Sequence, residues 1–262
     1  MVKLELGDVS LGYGRRQVVS NLTFRVMPGE MVGLIGPNGC GKTSIIKALC
    51  RVIPHSGRIL LDGKEISAIP RKELACLLGV VPQNPSLPEA FTVFEVVLMG
   101  RNPHLGLLRY ESRRDLDIAW WAMAETATDA LAERRMGELS GGERQRVTVA
   151  RVLAQEPKAV LLDEPTANLD ISHQVEIMGL IKNLCLEKSL TVLVALHDLN
   201  LAAQYCDRLL LISNGQLYAE GTPWQVITPA NIKEVYGTES CVYPHPVNQL
   251  PVVLPSSRPV IR

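Results

Sequence analysis

A glycine-rich stretch, GPNGCGKT at residues 36–43, is the part of the sequence that most clearly suggests chemistry. It fits the pattern G-x-x-x-x-G-K-[ST], in which backbone N–H groups turn inward and form a nest for phosphate oxygens. Lys42 is placed to reach the β- and γ-phosphates of ATP, and the Thr43 hydroxyl is placed to bind Mg²⁺. An apolar strand before the stretch and a helical pattern after it favour this function over a simple glycine-rich turn. The candidate ATP-binding residues are Gly36, Pro37, Asn38, Gly39, Cys40, Gly41, Lys42, Thr43 and Ser44.

Two adjacent carboxylates follow an apolar run in AVLLDEP, residues 159–165. If the run is a buried strand that ends at the phosphate site, Asp163 can lie near Mg²⁺, and Glu164 can orient or deprotonate the attacking water. We assign one carboxylate to the metal and one to water, because two adjacent carboxylates on one metal would repel each other. A DE pair after a strand is common, so this hypothesis depends on the glycine-rich loop upstream.

Two further polar residues lie at the ends of apolar runs. Gln83 follows residues 77–82, and its amide could ligate Mg²⁺ or the attacking water. His197 follows residues 190–196, and its imidazole could contact the γ-phosphate. Taken alone, each is more often a surface or structural residue, and only the ordered set favours a role in catalysis. The candidate catalytic residues are therefore Glu164, His197 and Gln83, and the candidate magnesium ligands are Thr43, Gln83 and Asp163.

A second stretch, LSGGERQRV at residues 139–147, also has the features of an anion-binding loop. A serine and two glycines lead directly into a basic, helix-forming segment, and the N-terminus of a helix attracts phosphate. One chain therefore carries two such loops, far apart in sequence. Their separation raises the question of which phosphate the second loop binds.

The elements that must position these residues follow an alternating order. Repeated β-α-β units after residue 140 imply a mostly parallel sheet that is covered by helices on both faces. Strands with turns are predicted for residues 2–35, and a helical subdomain is predicted for residues 85–140. A proline-rich, irregular tail is predicted for residues 238–262. The predicted helices are 42–53, 92–100, 113–136, 141–155, 171–188 and 198–206, and the predicted strands include 31–35, 77–83, 159–163, 190–196 and 208–213.

Composition excludes several classes of protein. The chain has 262 residues with 27 Lys and Arg against 27 Asp and Glu, so it lacks the basic excess that is typical of a protein that binds nucleic acid. Its six cysteines form no CxxC pair, which favours free thiols in a reducing cytoplasm. We find neither a secretory signal nor an apolar run of the roughly 18–20 residues that a membrane-spanning helix needs. If the chain works at a membrane, something else must therefore hold it there.

The ordered set GPNGCGKT, Gln83, LSGGERQRV, VLLDEP, ANLD and His197 resembles an ATP-binding cassette (ABC) ATPase. The resemblance covers residues 2–237, and LSGG is its most specific part. It implies an α/β fold of the P-loop NTPase type, with a mixed sheet core, an antiparallel β part at the N-terminus and an inserted helical subdomain. It also implies ATP and Mg²⁺ as cofactors.

The same resemblance implies a head-to-tail dimer of two identical subunits. In such a dimer, the second loop of one chain contacts the γ-phosphate that the first loop of the other chain holds. Tyr13 matches the aromatic residue that stacks on adenine, and the ANLD loop, which includes Asn168 and Leu169, matches the loop that links the two sites. The implied contacts to the partner's ATP are Ser140, Gly141, Gly142, Glu143 and Asp170.

A finer resemblance is to the ATPases of iron–siderophore, haem or cobalamin importers. It rests on TVFEVVLMGRNPHLG at residues 92–106 and on the run from residue 197 to residue 237. It implies docking at the cytoplasmic face of the cell membrane, under two permease transmembrane subunits, with a substrate-binding protein outside. A soluble ABC ATPase of the iron–sulfur cluster assembly type and an importer ATPase for zinc or manganese are the alternatives. Candidates for the docking face, some of which must be core, are Phe91, Val93, Phe94, Val97, Met99 and Leu105.

Cys40 occupies a free position of the first loop. A helix N-terminus and the nearby Lys42 could lower the pKa of its thiol. On that hypothesis, alkylation of Cys40 blocks nucleotide binding, and bound ATP protects the thiol. The alternative is that Cys40 is an inert small side chain.

Overall fold

A computed structural model describes residues 2–85, 87–105, 110–167 and 169–256. Within these ranges the chain folds into an α/β body with three sheets. In chain order the strands are β1 (Leu4–Tyr13), β2 (Arg16–Val26), β3 (Met31–Ile35), β4 (His55–Leu61), β5 (Lys64–Glu65), β6 (Leu78–Val81), β7 (Ala159–Asp163), β8 (Thr191–Ala195), β9 (Arg208–Ser213), β10 (Gln216–Gly221), β11 (Ser240–Pro244) and β12 (Pro251–Pro255). The α-helices are α1 (Lys42–Leu49), α2 (Arg71–Leu77), α3 (Val93–Leu98), α4 (Arg113–Glu125), α5 (Gly141–Ala154), α6 (Ile171–Lys188), α7 (Leu199–Tyr205), α8 (Pro223–Val226) and α9 (Pro229–Tyr236).

The central sheet has six strands in the order β10-β9-β3-β8-β7-β6. All neighbouring pairs are parallel except β9 with β10, which form an antiparallel hairpin. Every residue of β3, β7 and β8 is buried, as expected for parallel strands that are covered on both faces. Because these three strands are parallel, their carboxyl ends lie side by side at one end of the sheet. The predicted site residues directly follow these ends.

The N-terminal sheet is antiparallel, with the strand order β2-β1-β4-β5. Its long strands alternate between buried and exposed residues, which indicates one face on the core and one face in solvent. The Ser20 N–H donates to the Gly215 carbonyl oxygen at 2.8 Å and so connects this sheet to the β9–β10 hairpin of the central sheet. Both the mixed central sheet and the antiparallel N-terminal part confirm the predicted fold class.

The core forms two layers, one on each face of the central sheet. Leu34, Leu161 and Leu193 point toward the N-terminal sheet and α1, whereas the next residues along two of these strands, Ile35 and Leu162, point toward the helices on the other face. Burial of each such side chain stabilises the fold by roughly 1.5–3 kcal/mol. The strands that carry the site are therefore packed on both faces of the sheet.

The helical subdomain differs from prediction at its second helix. We expected one helix over residues 113–136, but α4 ends at Glu125 and short 3₁₀ turns follow at 129–131 and 136–138. The Thr126 hydroxyl donates to the carbonyl oxygens of Ala122 and Met123, and Ala127 has a left-handed backbone with φ 50°. These bonds close the last turn of the helix, so the apolar periodicity that continues in the sequence lies outside it.

The first helix, α1, is shorter than the sequence predicts. We predicted a helix over residues 42–53, but α1 ends at Leu49 and Arg51 has a left-handed backbone with φ 57°. The Arg51 guanidinium donates to the Ile69 carbonyl oxygen at 2.7 Å, which ties this turn to the segment before α2. The Val52 N–H donates to the Lys47 carbonyl oxygen at 2.9 Å, so the helix ends in this left-handed turn and not at the later proline.

The sequence predicts an irregular tail over residues 238–262, and this prediction is wrong for residues 240–255. They form the antiparallel pair β11–β12. Asn200 on α7 holds this hairpin, because its side chain accepts from the Val253 N–H at 2.7 Å and donates to the Val253 carbonyl oxygen at 3.3 Å. The prolines lie at the ends of the two strands, where a missing N–H is tolerated. The lack of a sequence period reflects the shortness of these strands.

Among the helices that the structure describes, none is both long enough and apolar enough to cross a bilayer.

Candidate nucleotide-binding site

The first loop connects β3 to α1 and requires glycine at two positions. Gly36 has φ 149°, and a Cβ there would collide with the Ile212 carbonyl oxygen. Gly41 has φ 112°, and a Cβ there would lie 2.6 Å from the Val19 side chain. Both φ values lie in the region that favours glycine, so the loop can turn tightly against the sheet and present its backbone N–H groups.

Lys42 is buried although it is charged, with a relative exposure of 5%. Its ammonium group donates to the carbonyl oxygens of Gly36 at 2.8 Å and Pro37 at 3.4 Å. The charge is therefore held against the loop by two backbone carbonyl groups. Close by, the Tyr13 hydroxyl lies 3.4 Å from the Ser44 hydroxyl, and Tyr13 is 47% exposed, so a flat base has access to its ring.

Asp163, the last residue of β7, lies beside the loop. The Thr43 hydroxyl donates to its carboxylate at 2.9 Å. Burial raises the pKa of the Asp163 carboxyl, and the neighbouring Glu164 raises it further, while the bond from Thr43 opposes this shift. The two oxygen groups converge and are of the type that Mg²⁺ prefers. In the part of the chain that the structure describes, no group of three His, Cys, Asp or Glu residues could hold a metal.

Glu164 has an unusual backbone that directs it into the site. Its φ is 48°, and its N–H donates to the Ala195 carbonyl oxygen at 3.1 Å. A left-handed backbone costs a non-glycine residue energy, and the bond to Ala195 helps to hold it here. The Gln83 amide donates to the Glu164 carboxylate at 2.6 Å, and His197 Nδ1 lies 4.0 Å from the same oxygen. A carboxylate in this position could accept a proton from a water molecule.

The cavity over the first loop is small. Its volume is about 130 Å³, and it is lined by Val18, Asn38, Gly39, Gly41, Lys42, Thr43, Ser44 and Glu164. Clefts that enclose a whole small ligand usually have volumes of roughly 300–1,000 Å³. This cavity is therefore smaller than a cleft that encloses a whole small ligand.

The second loop and the start of α6 form a separate cluster. Ser140 caps α5, its hydroxyl accepts from the Glu143 N–H, and the Glu143 carboxylate accepts from the Ser140 N–H at 2.8 Å. This backbone bond holds the pKa of Glu143 below its ordinary value. Asp170 caps α6 and accepts from the His173 N–H at 2.9 Å, which lowers the pKa of Asp170. Leu169 lies against Gly141, and His173 lies against Gly142, so the two helix ends pack together.

The predicted site residues thus fall into two groups. Tyr13, the first loop, Gln83, Asp163, Glu164 and His197 lie together, whereas Ser140, Gly141, Gly142, Glu143 and Asp170 form the second group. Across the described ranges, no hydrogen bond or ion pair joins the second loop to the first. Asn168 and Gly106 lie outside the described residues.

The expectation of a lowered pKa for Cys40 is wrong. Its thiol is buried with an exposure of 6%, and burial raises the pKa more than the nearby Lys42 lowers it. The side chain points under the loop, where a Cβ on Gly36 would lie 2.8 Å from its sulfur. Cys40 therefore contributes its backbone to the loop and packs its side chain into the core. All six cysteines are free thiols in the structure.

Two of the candidates for a docking face belong to the core instead. Val93 and Val97 are fully buried on α3, where they pack against α4 and α5. Phe91 remains 41% exposed, and the Phe94 ring lies 5.0 Å from the Trp120 ring.

The sequence motifs do not include His173, which contacts Asp170 in the first turn of α6. The only signal in the sequence is its spacing of three residues from Asp170.

Comparison with known proteins agrees with this geometry. Residues 19–167 match the family model described as ABC transporter. The chain is 39% identical to the ferric enterobactin transport ATP-binding protein FepC of Escherichia coli, over 98% of this chain and 96% of that protein. It is 42% identical to the hemin import ATP-binding protein HmuV of Gloeobacter violaceus, over 96% of this chain and 94% of that protein. It is 40% identical to the iron(3+)-hydroxamate import ATP-binding protein FhuC of Bacillus subtilis, over 97% of this chain and 95% of that protein.

A solved structure extends the likeness to three dimensions. It is an inward-facing conformation of a metal-chelate type ABC transporter, and one of its chains superposes with a TM-score of 0.86 at 25% identity. The superposition covers 98% of this chain and 99% of that chain. Together with the two phosphate-type loops and the polar residues at the sheet edge, these matches show that the chain belongs to the ABC transporter family.

Proposed function

We propose that this chain is the ATP-hydrolysing subunit of a membrane importer for an iron–siderophore complex, haem or cobalamin. The observation that carries this proposal is the similarity at about 40% identity, over nearly the whole of both chains, to ATP-binding proteins of ferric siderophore and haem import. The site geometry supports hydrolysis, because the groups for binding phosphate, holding a metal and activating water all lie at one sheet edge.

In the proposed mechanism, Lys42 leaves its two carbonyl partners and contacts the β- and γ-phosphates, while Tyr13 stacks on the adenine. Thr43, Asp163 and the Gln83 amide oxygen would hold Mg²⁺, which neutralises charge on the phosphates when it is bound. Glu164 accepts a proton from the attacking water. His197 contacts the γ-phosphate from the far side of the site.

The site is completed by a second copy of the chain in a head-to-tail dimer. Two features support this arrangement: the cavity over the first loop is too small to enclose ATP, and the Ser140 cluster is not bonded to that loop within the described residues. The N-terminus of α5 is suited to phosphate and would contact the γ-phosphate of the partner's ATP. Binding of two ATP molecules then closes the dimer, and hydrolysis reopens it.

The importer would contain two permease subunits in the membrane, and this chain would bind to them at the cytoplasmic face. An external binding protein would deliver the substrate. The chain itself would not touch the substrate, so coupling would be conformational. The exposed part of the helical subdomain near Phe91 supplies a surface for such docking.

Uptake measurements in a deletion strain test the proposal. Loss of the gene should abolish uptake of one compound among ferric siderophores, haem and cobalamin, and should leave zinc and manganese uptake unchanged. The parental gene should restore uptake, whereas Lys42→Ala and Glu164→Gln should not. A deletion strain that takes up all three compounds normally, or that loses zinc or manganese uptake instead, would contradict the proposed function.

A further inference from the structure

We propose that His173 is a positioning residue that sets the distance between the second loop and the Asp170 loop. This inference rests on the proposed function, because both loops are expected to contact the partner's ATP. His173 lies in the first turn of α6, and its side chain is about one-third exposed. It belongs to neither of the loops that the motifs define.

One side of the His173 ring is held by Asp170. A single carboxylate oxygen of Asp170 accepts from the His173 N–H at 2.9 Å and lies 2.7 Å from His173 Nδ1. An ionised carboxylate can only accept hydrogen bonds, so Nδ1 must carry the proton. The bond fixes the orientation of the imidazole relative to the start of α6.

The other side of the ring lies on the second loop. A Cβ on Gly142 would collide with the edge of the imidazole and would lie 2.7 Å from its Cγ and its Nε2. The residue at position 142 must therefore be glycine if the ring keeps this place. Gly142 is buried at the start of α5, directly after Ser140 and Gly141, which are exposed.

The imidazole is thus a spacer between two helix N-termini. The Asp170 carboxylate orients the His173 imidazole, and the ring packs against the backbone of Gly142, two residues after Ser140. Removal of the ring leaves a gap beside Gly142, so the second loop can move relative to Asp170. Two loops that must engage one partner at the same time would then pay an additional ordering cost on dimerisation.

The test uses the full chain in a Glu164→Gln background, in which ATP should trap the dimer. We expect His173→Ala to raise the protein concentration that is needed for half-maximal ATP-dependent dimerisation by about tenfold or more, because a charge-assisted hydrogen bond and its contact are lost. Binding of ATP to the chain's own first loop, measured below the dimerisation concentration, should stay within about twofold of the parent. That binding also shows that the variant is folded.

Two conservative variants separate the parts of the contact. His173→Asn keeps a donor near Asp170 but lacks the ring, and His173→Leu keeps volume against Gly142 but lacks the donor. Each should dimerise better than His173→Ala and less well than the parent. Ser172→Ala, a change at the exposed neighbouring position, should dimerise as the parent does.

A double-mutant cycle gives a result that a general loss of stability would not. In the parent, Gly142→Ala should strongly weaken ATP-dependent dimerisation, because the added Cβ collides with the imidazole ring. In the His173→Ala background, where that space is free, the same change should weaken dimerisation less. Dimerisation of His173→Ala at the parental concentration, or equal costs of Gly142→Ala in both backgrounds, would overturn the role of His173 alone. A Glu164→Gln protein that stays monomeric with ATP would overturn the proposed shared site.

Discussion

At the scale of single residues, the position of Glu164 depends on contacts from two neighbouring strands. Its left-handed backbone is held by a bond to β8, its carboxylate accepts from Gln83, and His197 faces it from the end of the next strand. These contacts come from three strand ends that meet because the strands are parallel. The left-handed backbone can persist because these contacts and the buried strands on either side hold it in place.

The first prediction concerns this carboxylate. Glu164→Gln should bind ATP normally but lose at least about a hundredfold in turnover, because the amide cannot accept the proton from water. The measurements are phosphate release and size-exclusion chromatography with ATP, which should show a dimer. Glu187→Gln, an exposed change on α6, is the matched control. Parental turnover in Glu164→Gln would show that another group is the base.

The second prediction concerns Cys40. Because burial covers its thiol and raises its pKa, less of the reactive thiolate is present at a given pH. Alkylation by iodoacetamide at pH 8 should be at least about tenfold slower at Cys40 than at the exposed Cys241. Mass spectrometry of the labelled peptides measures both rates in one sample. Equal rates in the folded protein would contradict the burial of this side chain.

At the scale of elements, a buried charge cluster joins the helical subdomain to the core. The Asp115 carboxylate accepts from the Arg101 guanidinium at 2.9 Å and from the Ser112 hydroxyl at 2.6 Å. Arg101, which is 3% exposed, also donates to the Ala154 carbonyl oxygen at the end of α5 and to Glu156. The helix that begins at the second loop is thus tied at its other end to the segment before α4.

The third prediction follows from this cluster. The bonds from Ser112, together with Arg101, lower the pKa of Asp115 to about 2, against an ordinary value of 3.8. Because the pKa is lower in the folded state, this carboxylate stabilises the fold above pH 4, and the contribution is lost as the pH falls through about 2. Asp115→Asn should lower the free energy of unfolding by about 2 kcal/mol at pH 7.

Denaturant unfolding at several pH values checks this expectation. The difference in the free energy of unfolding between the parent and Asp115→Asn should decrease steadily as the pH falls below 4. The reason is that the Asp115 carboxyl of the parent then becomes neutral, like the amide of the variant. Asp117→Asn, at an exposed position of the same helix, should change the stability little at any pH. A difference that stays constant down to low pH would mean that the charge of Asp115 does not contribute.

The elements that could be predicted from sequence are helices whose first residue follows a recognisable capping residue. The start of α5 at Ser140 and that of α6 at Asp170 follow from capping residues in the sequence, and both helices agree with prediction within one residue. The end of α4 and the hairpin after residue 240 could not be predicted, because Thr126 and Asn200 act through contacts that the apolar pattern does not show. His173 was missed for the same reason, since its contact with Gly142 joins two distant helices.

At the scale of the whole molecule, the two groups of site residues explain why one chain has two phosphate-type loops. The first group places a lysine, a threonine and a carboxylate around a glycine-rich loop, and no hydrogen bond or ion pair within the described residues joins the second group to that loop. A symmetric dimer with each second loop over the partner's first loop would use both groups twice. Hydrogen bonds within one chain already orient the polar residues of each group. Dimerisation would therefore bring together two half-sites that need little rearrangement.

The last prediction uses two variants that damage different halves. Lys42→Ala removes the charge of the first loop, and Ser140→Arg blocks the second loop while that chain's own first loop stays intact. Both are made in the Glu164→Gln background. Neither variant alone should form a stable dimer with ATP, because every interface would contain one damaged half. A mixture should form heterodimers in which one interface is intact, since it pairs the first loop of Ser140→Arg with the second loop of Lys42→Ala.

Size-exclusion chromatography with labelled ATP distinguishes the possible outcomes. The heterodimer should hold about one nucleotide, against about two in the dimer of Glu164→Gln alone. If each chain enclosed its own nucleotide, mixing would not rescue dimerisation, because each chain would still carry its own damaged half. Rescue on mixing would therefore assign the loop at Ser140 to the partner's nucleotide, and its absence would contradict the head-to-tail arrangement.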